Sequence, residues 1–471
     1  MPRCGSAAFL LEVKGRAVGL MPVTDAMFML PETREQPMHV GGLQVFELPP
    51  GAGPEWLADA YRTAVGGAGV SRAFGRRAAR SPLTLGQWAW TRDRALDLEH
   101  HVRHSALPQP GRVRELFALV SRLHGTLLDR ERPLWETSLI EGLEGGRFAV
   151  YTKIHHAMMD GVSAVRLLQD SLSTSPQGRA TLPWQERPEA ARSRSRSGGL
   201  GALPGVALSL TGDALSLPPR VLSIARSALH DQAIALPGQA PRSLFNGSIS
   251  ASRRFAGDAW PLQRVRAVAA AADATVNDVV LAMCSAALRQ YLIDLDALPE
   301  APLIAMTPVS LRKGETADGG NAVGTILCNL ATDLDDAEAR LLAVRASMRQ
   351  GKAGFTGLSQ VQITALSAVV MAPLLLNGLV GLHKAARPPF NLVISNVPGP
   401  TSPMYWDGAR LEGLYPLSIV LQGQALNITV TSYAGELQFG LVGCRRTVPH
   451  LQRMLAGLET GLADLEHAFG V

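Results

Sequence analysis

The chain has 471 residues, which is too long for a single hydrophobic core and indicates two domains. Hydrophobic residues make up 46% of it and charged residues 18%, a balance that excludes a disordered chain and is typical of a globular protein. The 45 basic and 40 acidic residues leave a net charge of +5, which suits a phosphate-bearing ligand or an anionic lipid surface and does not by itself favour nucleic acid.

The N-terminal residues and the cysteines predict a cytoplasmic protein. Charged residues from Glu12 onwards interrupt the first apolar run before it reaches the length of a signal-peptide core. We therefore expect residues 1–21 to form an extension outside the first domain. The four cysteines are widely separated and form no CxxC pair, as expected of free thiols in a reducing compartment: Cys4, Cys284, Cys328 and Cys444.

The first domain, expected at residues 22–180, begins with a strand at Val40 to Leu48. The following stretch, to about residue 80, is predicted to be helical with glycine-rich interruptions. His100 and His101 are a histidine pair with strongly charged neighbours and no Asp-Gly after it, which predicts a surface position. Arg112 to Arg130 carries apolar residues on one helical face and is predicted to be an amphipathic helix.

A predicted hairpin then delivers two adjacent histidines to a strand-to-helix corner. Trp135 to Ile140 and Arg147 to Ile154 have strand patterns, and a turn with two glycines joins them. The next seven residues, His155 to Gly161, read HHAMMDG, and Asp160 stands where the N-cap of a helix belongs. A helix is predicted after it, because apolar residues recur at intervals of three and four: Val162, Val165, Leu168 and Leu172.

The chemistry of this corner depends on the imidazoles. A neutral imidazole accepts a proton from a hydroxyl at physiological pH, and His156 is the better candidate for such a base. We expect His155 to be packed or hydrogen-bonded to backbone, holding the corner in shape. For Asp160 a structural role, as an N-cap or as an ion-pair partner that fixes the loop, is favoured over a direct proton relay. A metal site of His155, His156 and Asp160 is disfavoured, since the sequence has no HExxH spacing and no cysteine cluster.

Residues 181–240 are interpreted as a linker followed by crossover helices. The linker is rich in Pro, Arg, Ser and Gly and includes SRSRSGG at Ser193 to Gly199. Nucleic-acid binding by this run is disfavoured, because no aromatic residues are interleaved with the arginines. Gly201 to Leu236 has helical apolar spacing and is expected to cross to the second domain.

The second domain, expected at residues 241–471, repeats the order of the first. In it, Thr275 and Asp278 match a capping box at the start of a helix. Its end has a hairpin followed by an amphipathic helix, as at Trp135 to Ser173, and this repetition predicts two related α/β domains with the site at their interface. The predicted strands of this domain are Ser252 to Ala256, Pro302 to Pro308, Asn391 to Asn396, Ala425 to Tyr433 and Leu437 to Gly443.

HHxxxDG is the signature of the coenzyme A-dependent acyltransferase superfamily, and within it the chain closely resembles the bacterial wax ester synthase/diacylglycerol acyltransferase family. The resemblance begins at about residue 22. It implies two chloramphenicol-acetyltransferase-like domains, with mixed sheets flanked by helices. Five further blocks carry the resemblance: PMHVGGLQVFELP (Pro37 to Pro49), RPLWE (Arg132 to Glu136), TVNDVVLAMCSAAL (Thr275 to Leu288), PVSLR (Pro308 to Arg312) and NLVISNVPGP (Asn391 to Pro400).

The resemblance also implies an activity. It predicts that acyl-CoA, as a substrate and not a cofactor, esterifies a long-chain fatty alcohol or diacylglycerol without an acyl-enzyme, at a peripheral membrane or lipid-droplet surface. The chain has no GxSxG nucleophile elbow. Alternatives are a condensation-type HHxxxDG acyltransferase and a non-catalytic lipid-binding coat protein. The site residues that it implies are His155, His156, Asp160 and Gly161 for catalysis and Asn277, Asp278, Ser395 and Asn396 for substrate binding.

Ala365 to Leu382 reaches the length of a membrane-spanning helix without a charged residue. Pro373, Asn377 and Gly378 interrupt it, and it lies between blocks of one predicted domain. We therefore expect a helix pair along an acyl tunnel, with an apolar edge towards lipid, in place of a transmembrane segment.

Overall fold

The computed structural model describes residues 11–13, 16–53, 55–67, 69–80, 84, 86–186, 238–310, 323–355, 362–363 and 387–471. In the first half its elements are β1 (Leu11–Val13), β2 (Arg16–Leu20), α1 (Val23–Met29), β3 (His39–Glu47), α2 (Trp56–Gly66), β4 (Arg76–Arg80), β5 (Trp88–Arg92), α3 (Leu98–His101), β6 (Val102–Ala106), α4 (Val113–Gly125), β7 (Trp135–Leu143), β8 (Arg147–His155) and α5 (Gly161–Asp170).

The second half has one short 3-10 helix, Leu244–Asn246, before its strands. Its other described elements are β9 (Arg253–Pro261), α6 (Leu262–Ala271), α7 (Val276–Ile293), β10 (Ile304–Ser310), β11 (Val323–Asn329), α8 (Ala337–Ala353), β12 (Leu392–Val397), β13 (Tyr405–Trp406), β14 (Ala409–Leu417), β15 (Leu426–Tyr433), β16 (Glu436–Cys444) and α9 (Arg453–Phe469).

Two six-stranded mixed sheets form the framework. The first has the order β13-β14-β3-β8-β7-β6 and the second the order β11-β10-β12-β15-β16-β9. Each contains an antiparallel hairpin next to a parallel pair, β7–β8 beside β6 and β15–β16 beside β12. The predicted hairpins are therefore confirmed. The second one closes through Ala434 and Gly435, which both have positive φ, as a two-residue turn between twisted strands requires.

The first sheet contains strands from both halves of the chain. β14 pairs with β3 from Leu417↔Gly41 to Arg410↔Glu47, and β13 continues the sheet beyond it. The predicted division at residues 181–240 assigns this segment to the C-terminal domain, whereas it completes the N-terminal sheet. The pairing of β14 with β3 covers an edge of β3 whose backbone groups would otherwise lack partners. Alternation along a strand shows that it is half-buried and does not show which sheet receives it.

A small four-stranded sheet, β1-β2-β5-β4, corrects two predictions. The stretch before residue 80 is helical only in α2, and Arg76–Arg80 is a strand paired with β5. Residues 1–21, expected to be an extension, contain β1 and β2, and β2 pairs with β5 at Gly19↔Trp90. Strand pairing between distant segments decides both points, because strands of three to five residues carry little periodicity of their own.

Most of the predicted linker and crossover helices, and the whole apolar stretch Ala365 to Leu382, lie outside the described residues. Among the described helices, no single one is long and apolar enough to cross a membrane. α6 and α7 reach that length and composition only together, and they are bent by 102° at the break between them.

Candidate active site

The two adjacent histidines lie where β8 ends, and their backbone is tied to both neighbouring strands. The amide of His155 donates to the carbonyl of Leu134, just before β7, over 2.9 Å. The amide of His156 donates to the carbonyl of Met38, just before β3, over 2.8 Å. A turn follows, in which the Met158 amide donates to the His155 carbonyl. The corner is therefore held by a rigid sheet and not by a free loop.

His155 is fully buried, and its contacts define its tautomer. The backbone amide of Ala157 donates to its Nδ1 over 3.0 Å, so this nitrogen carries a lone pair and the ring proton is on Nε2. Nε2 lies 3.3 Å from Oε1 of Glu32. These contacts hold the imidazole between a backbone amide and a carboxylate, and they turn its polar atoms inward. This is the geometry of a residue that maintains the corner.

Glu32 is the partner of His155 that the sequence did not reveal. Its side chain is 2% exposed, and Oε2 lies 2.7 Å from a guanidinium nitrogen of Arg130. Its Oε1 accepts a hydrogen bond from the Met38 amide. Burial would raise the pKa of Glu32, but His155 and Arg130 outweigh it and hold the pKa below its usual value. A single Glu in a loop with no periodicity offers no signal from which this contact could be predicted.

His156 is half-buried and stacks on the ring of Phe28 in α1, with centroids 4.0 Å apart and an interplanar angle of 20°. Its Nδ1 is buried and has no hydrogen-bond partner in the described part of the chain. Burial lowers the pKa of His156 to about 4, although the nearby carboxylate of Asp160 acts in the opposite direction. The imidazole is therefore neutral at pH 7, the state in which it can accept a proton.

Asp160 caps α5, as its place before the helix predicted. Its Oδ1 accepts from the Ser163 amide over 2.8 Å, and its Oδ2 accepts from the Ser163 hydroxyl over 3.1 Å. Both carboxylate oxygens are thus engaged by Ser163, which favours the N-cap over the loop-fixing ion pair. Gly161 is the first residue of α5, and an added Cβ there would meet only Val40 at 3.9 Å.

A second buried charge lies behind the corner, two residues before His155 on β8. Lys153 is 2% exposed, and its Nζ lies 3.1 Å from Oε2 of Glu136 on β7. It also donates to the carbonyls of Leu123 and Thr126 at the end of α4. Burial lowers the pKa of Lys153, and Glu136 opposes that shift. The pair fixes α4 against the strand that carries the histidines.

Two further buried histidines connect this region to the second half of the chain. Nε2 of His39 donates to the carbonyl of His124 over 2.9 Å. Nε2 of His124 lies 3.2 Å from the Ser418 carbonyl and must donate to it, so its Nδ1 accepts from the Tyr151 hydroxyl. Burial lowers the pKa of His124 to about 3 and that of His39 well below its usual value. The corner thus adjoins the interface between the two halves.

The predicted substrate-binding residues divide into three groups. Asn277 and Asn396 line one cavity of about 420 Å³, between α7 and the end of β12. Asp278 instead completes the predicted capping box, since its Oδ2 accepts from the amide and hydroxyl of Thr275. Ser395 is half-buried on β12 and is not among the residues that line this cavity.

The cavity and the histidine corner are separate, and they lie near opposite ends of α5. His156 is not among the lining residues of the cavity. Gly399, next to the cavity residue Pro398, packs so closely on α5 that an added Cβ would lie 2.9 Å from Nε2 of Gln169. Gln169 is eight residues along α5 from Gly161, about 12 Å of helix. The two groups of predicted site residues thus lie near the two ends of one helix.

The prediction that His100 and His101 lie at the surface is wrong for His101, which is 1% exposed. Its ring stacks on Trp135 at 4.5 Å, and its Nδ1 lies 2.7 Å from the Trp135 carbonyl. The parallel pairing of β6 with β7 brings α3 onto the sheet, which charged neighbours in the sequence do not show. In the part of the chain that the structure describes, no three His, Cys, Asp or Glu side chains converge as metal ligands would.

Comparison with known proteins identifies the family of this chain. Residues 21–280 match the family model of the wax ester synthase/diacylglycerol acyltransferase catalytic domain, and residues 319–466 match the WS/DGAT C-terminal domain. A probable diacylglycerol O-acyltransferase of Mycobacterium tuberculosis H37Rv is 51% identical over 96% of this chain and 100% of that protein.

Solved structures show the same fold. The wax ester synthase/diacylglycerol acyltransferase of Marinobacter aquaeolei VT8 superimposes with a TM-score of 0.78 at 43% identity, covering 96% of this chain and 100% of that one. The first condensation domain of the CDA synthetase, at 16% identity, covers 96% of each chain with a TM-score of 0.52 and shares the fold alone. The predicted pair of mixed-sheet α/β domains is confirmed. The chain is an O-acyltransferase and belongs to the wax ester synthase/diacylglycerol acyltransferase family.

Proposed function

We propose that this acyltransferase moves a long-chain acyl group from acyl-CoA to the hydroxyl of a fatty alcohol or of diacylglycerol, forming a wax ester or a triacylglycerol. The observation that carries the proposal is the neutral imidazole of His156, held at a rigid corner beside a fully buried His155. A base in that state can take a proton from an alcohol, which is too weak an acid to react unaided. The named activity of the M. tuberculosis relative supports diacylglycerol as an acceptor.

The proposed reaction needs one base and no cofactor, because the thioester is already activated. His156 takes the hydroxyl proton while the alcohol oxygen attacks the thioester carbonyl. The new C–O bond forms, the C–S bond breaks, and the imidazolium returns the proton to the departing thiolate. General acid–base catalysis of this kind contributes about a hundred- to ten-thousand-fold, and orientation of the two substrates supplies much of the rest.

The surroundings of His156 suit this role. Stacking on Phe28 fixes the plane of the ring, and the backbone bond to Met38 fixes its position relative to β3. Asp160 is occupied by Ser163, so it acts on the structure of the loop and is not a relay to the imidazole. The base then works without a catalytic triad. A single base is sufficient here, because the acyl group passes directly from the thioester to the alcohol without a covalent acyl-enzyme.

Product analysis tests the proposal. Purified enzyme is supplied with palmitoyl-CoA and equal amounts of hexadecanol and a diacylglycerol, and the products are separated by chromatography. We expect a wax ester, a triacylglycerol or both, together with free coenzyme A. Release of coenzyme A without either ester, or no turnover of palmitoyl-CoA, would contradict the proposed reaction. His156→Ala is the matched control for background hydrolysis.

We propose in addition that the enzyme works from the aqueous side of a lipid surface, in the cytoplasm. Its acceptors are insoluble, and its net charge of +5 favours an anionic surface. Such attachment responds to salt, because exposed charges are screened within about 8 Å at physiological ionic strength. After cell fractionation, high salt or alkaline carbonate should release most of the membrane-bound enzyme. Release by detergent alone would contradict peripheral attachment.

A further inference from the structure

The cavity between α7 and β12 holds two cationic residues that sequence motifs do not mark. Arg266 lies on α6 and Lys352 near the end of α8, and both line the cavity that contains Asn277 and Asn396. We propose that Arg266 and Lys352 bind the phosphates of the coenzyme A part of the donor, and that this cavity is the coenzyme-binding end of the site. The inference rests on the proposed use of acyl-CoA and assigns its binding subsite.

The two cations differ from their neighbours in having no acidic partner in the part of the chain that the structure describes. Other arginines on the same helices are paired: Arg264 with Glu459 and Glu466, and Arg349 with Asp273. Arg266 and Lys352 are exposed and form no ion pair within the described residues. They share a cavity in which no described lining residue is a carboxylate. A cavity whose described charged residues are both cations attracts an anion, and phosphate oxygens are the acceptors that such side chains bind well.

The other polar groups of the cavity suit the rest of the coenzyme. The side chains of Asn277 and Asn396 make no hydrogen bonds within the described residues, and Ser432 adds a hydroxyl to the lining. A carboxamide offers both donors and an acceptor, as the amide groups of a pantetheine arm require. Val276 and Asn277 are also the first residues of the 18-residue helix α7, whose N-terminal dipole favours an anion nearby.

The position of the cavity also suits a coenzyme whose thioester must reach His156. Pro398 lines it, and the adjacent Gly399 packs on Gln169, so the cavity lies at the far end of α5 from the histidine corner. A coenzyme bound by its phosphates at Arg266 and Lys352 can extend its arm along α5. The thioester at the end of that arm then approaches His156, whereas the apolar acceptor is free to enter from another side.

A larger cavity near α1 is the rival site, and its charges are less favourable. It is lined by several arginines, but Asp25, Asp93 and Glu186 line it too and offset them. The guanidinium of Arg76 there lies 4.3 Å from the centre of the Trp90 ring, which already occupies one of its faces. We therefore assign the coenzyme phosphates to the cavity of Arg266 and Lys352.

The test compares two donors that differ only in the phosphate-bearing part. The double variant Arg266→Ala/Lys352→Ala is assayed with palmitoyl-CoA and with palmitoyl-pantetheine, which has the same thioester and no phosphate. We expect the KM for palmitoyl-CoA to rise by about tenfold or more, as the loss of one or two charge-assisted contacts implies. The kcat and the KM for palmitoyl-pantetheine should stay within about twofold of wild type, since the base and the arm contacts remain.

Arg349→Ala is the matched control, because it removes an exposed cation from α8 outside the cavity. It should leave both KM values unchanged. Lys352 lies in the last turn of α8, where a cation also stabilises the helix, so thermal unfolding of each variant is recorded as well. Equal changes of KM for the two donors, or no change for palmitoyl-CoA, would overturn this inference alone. A wild-type enzyme that turns over neither donor would overturn the proposed function and the inference with it.

Discussion

Two corners of the molecule have the same backbone and different chemistry. β8 and β16 are each nine residues long, and they end at His155 and Cys444. The His155 amide donates to Leu134, the residue before β7, and the Cys444 amide donates to Ala425, the residue before β15, both over 2.9 Å. The His156 amide donates to the carbonyl of Met38, the residue before β3. In the same way, the Arg445 amide donates to the carbonyl of Ser252, the residue before β9.

The corners differ in what lies buried behind them. Behind the first, Glu32 contacts His155, and Lys153 pairs with Glu136 in the interior. At the second, the thiol of Cys444 accepts from the Ser250 amide, and buried apolar side chains fill the strand: Leu437, Phe439 and Leu441. Buried charges are costly unless paired. At the first corner the buried cation Lys153 is paired with a carboxylate, whereas the buried cation beside the second corner, Arg253, donates to the backbone carbonyls of Ser250 and Glu35. The two corners thus share a backbone scaffold, whereas in the described residues the first corner has the adjacent histidines and the buried carboxylates Glu32 and Glu136 behind them.

Of the changes that test the difference between the two corners, His156→Ala should have the largest effect. We expect turnover of both acceptors to fall by about a hundredfold or more, since a general base contributes that much, while the fold is retained. His155→Ala should lose less activity and more stability, because it leaves Glu32 without its buried partner. Steady-state kinetics and thermal unfolding of the two variants separate these effects.

Arg445→Ala is the control at the equivalent position of the second corner. Arg445 is exposed and its backbone bond to Ser252 does not depend on the side chain. It should retain wild-type turnover. His156→Ala with wild-type activity would refute the proposed base, and Arg445→Ala with a similar loss would show that the two corners are not functionally distinct.

Removal of the Glu32 carboxylate should mainly affect stability. Glu32→Ala leaves Arg130 and His155 facing a buried gap, and breaking a buried pair costs about 3–5 kcal/mol. Chemical denaturation measures the free energy of unfolding. The matched control is Glu131→Ala, which breaks an exposed pair with Arg77 and should cost less than about 1 kcal/mol. Equal losses for the two variants would show that the contacts of Glu32 do not stabilise the corner.

The N-cap of α5 has a smaller expected effect. Asp160→Ala should lower the free energy of unfolding by about 1 kcal/mol, because the Ser163 amide loses its acceptor. A moderate loss of activity should accompany it, as the loop before α5 loosens. The second copy of the arrangement, α9, begins without a side-chain cap and shows that the corner tolerates its absence. Loss of all turnover without any thermal shift would instead assign Asp160 a chemical role.

The smallest effect expected near neutral pH concerns proton uptake by His156. Its pKa of about 4 keeps the imidazole neutral, so kcat/KM should stay level from pH 7 down to about 5 and fall as the pH approaches 4. In the unfolded chain a histidine has its ordinary pKa near 6.5, so this residue makes the folded state lose stability as the pH falls from 6.5 towards 4. An acid limb centred near 6.5 in a pH–rate profile would contradict the burial of the base.

Some features of this protein are determined by the sequence alone. These features depend on residues a few positions apart, so the spacing in the chain is enough to predict their geometry. They are the capping box of Thr275 and Asp278, the N-cap at Asp160 and the two hairpins. The HHxxxDG motif has the same property, and its spacing alone indicates both the corner and the family. Buried apolar periodicity likewise located α4 and α9, although not their exact ends.

Other features were decided only by the tertiary structure. Glu32 meets His155, Phe28 stacks on His156, β14 completes the sheet of β3, and Arg266 and Lys352 share one cavity, all between segments far apart in the chain. Burial of His101 against Trp135 belongs to the same group. Local spacing carries no information about which distant segment will supply a partner. Such contacts arise when the sheets close and the two halves pack, because buried polar groups and strand edges must then find partners wherever the fold places them.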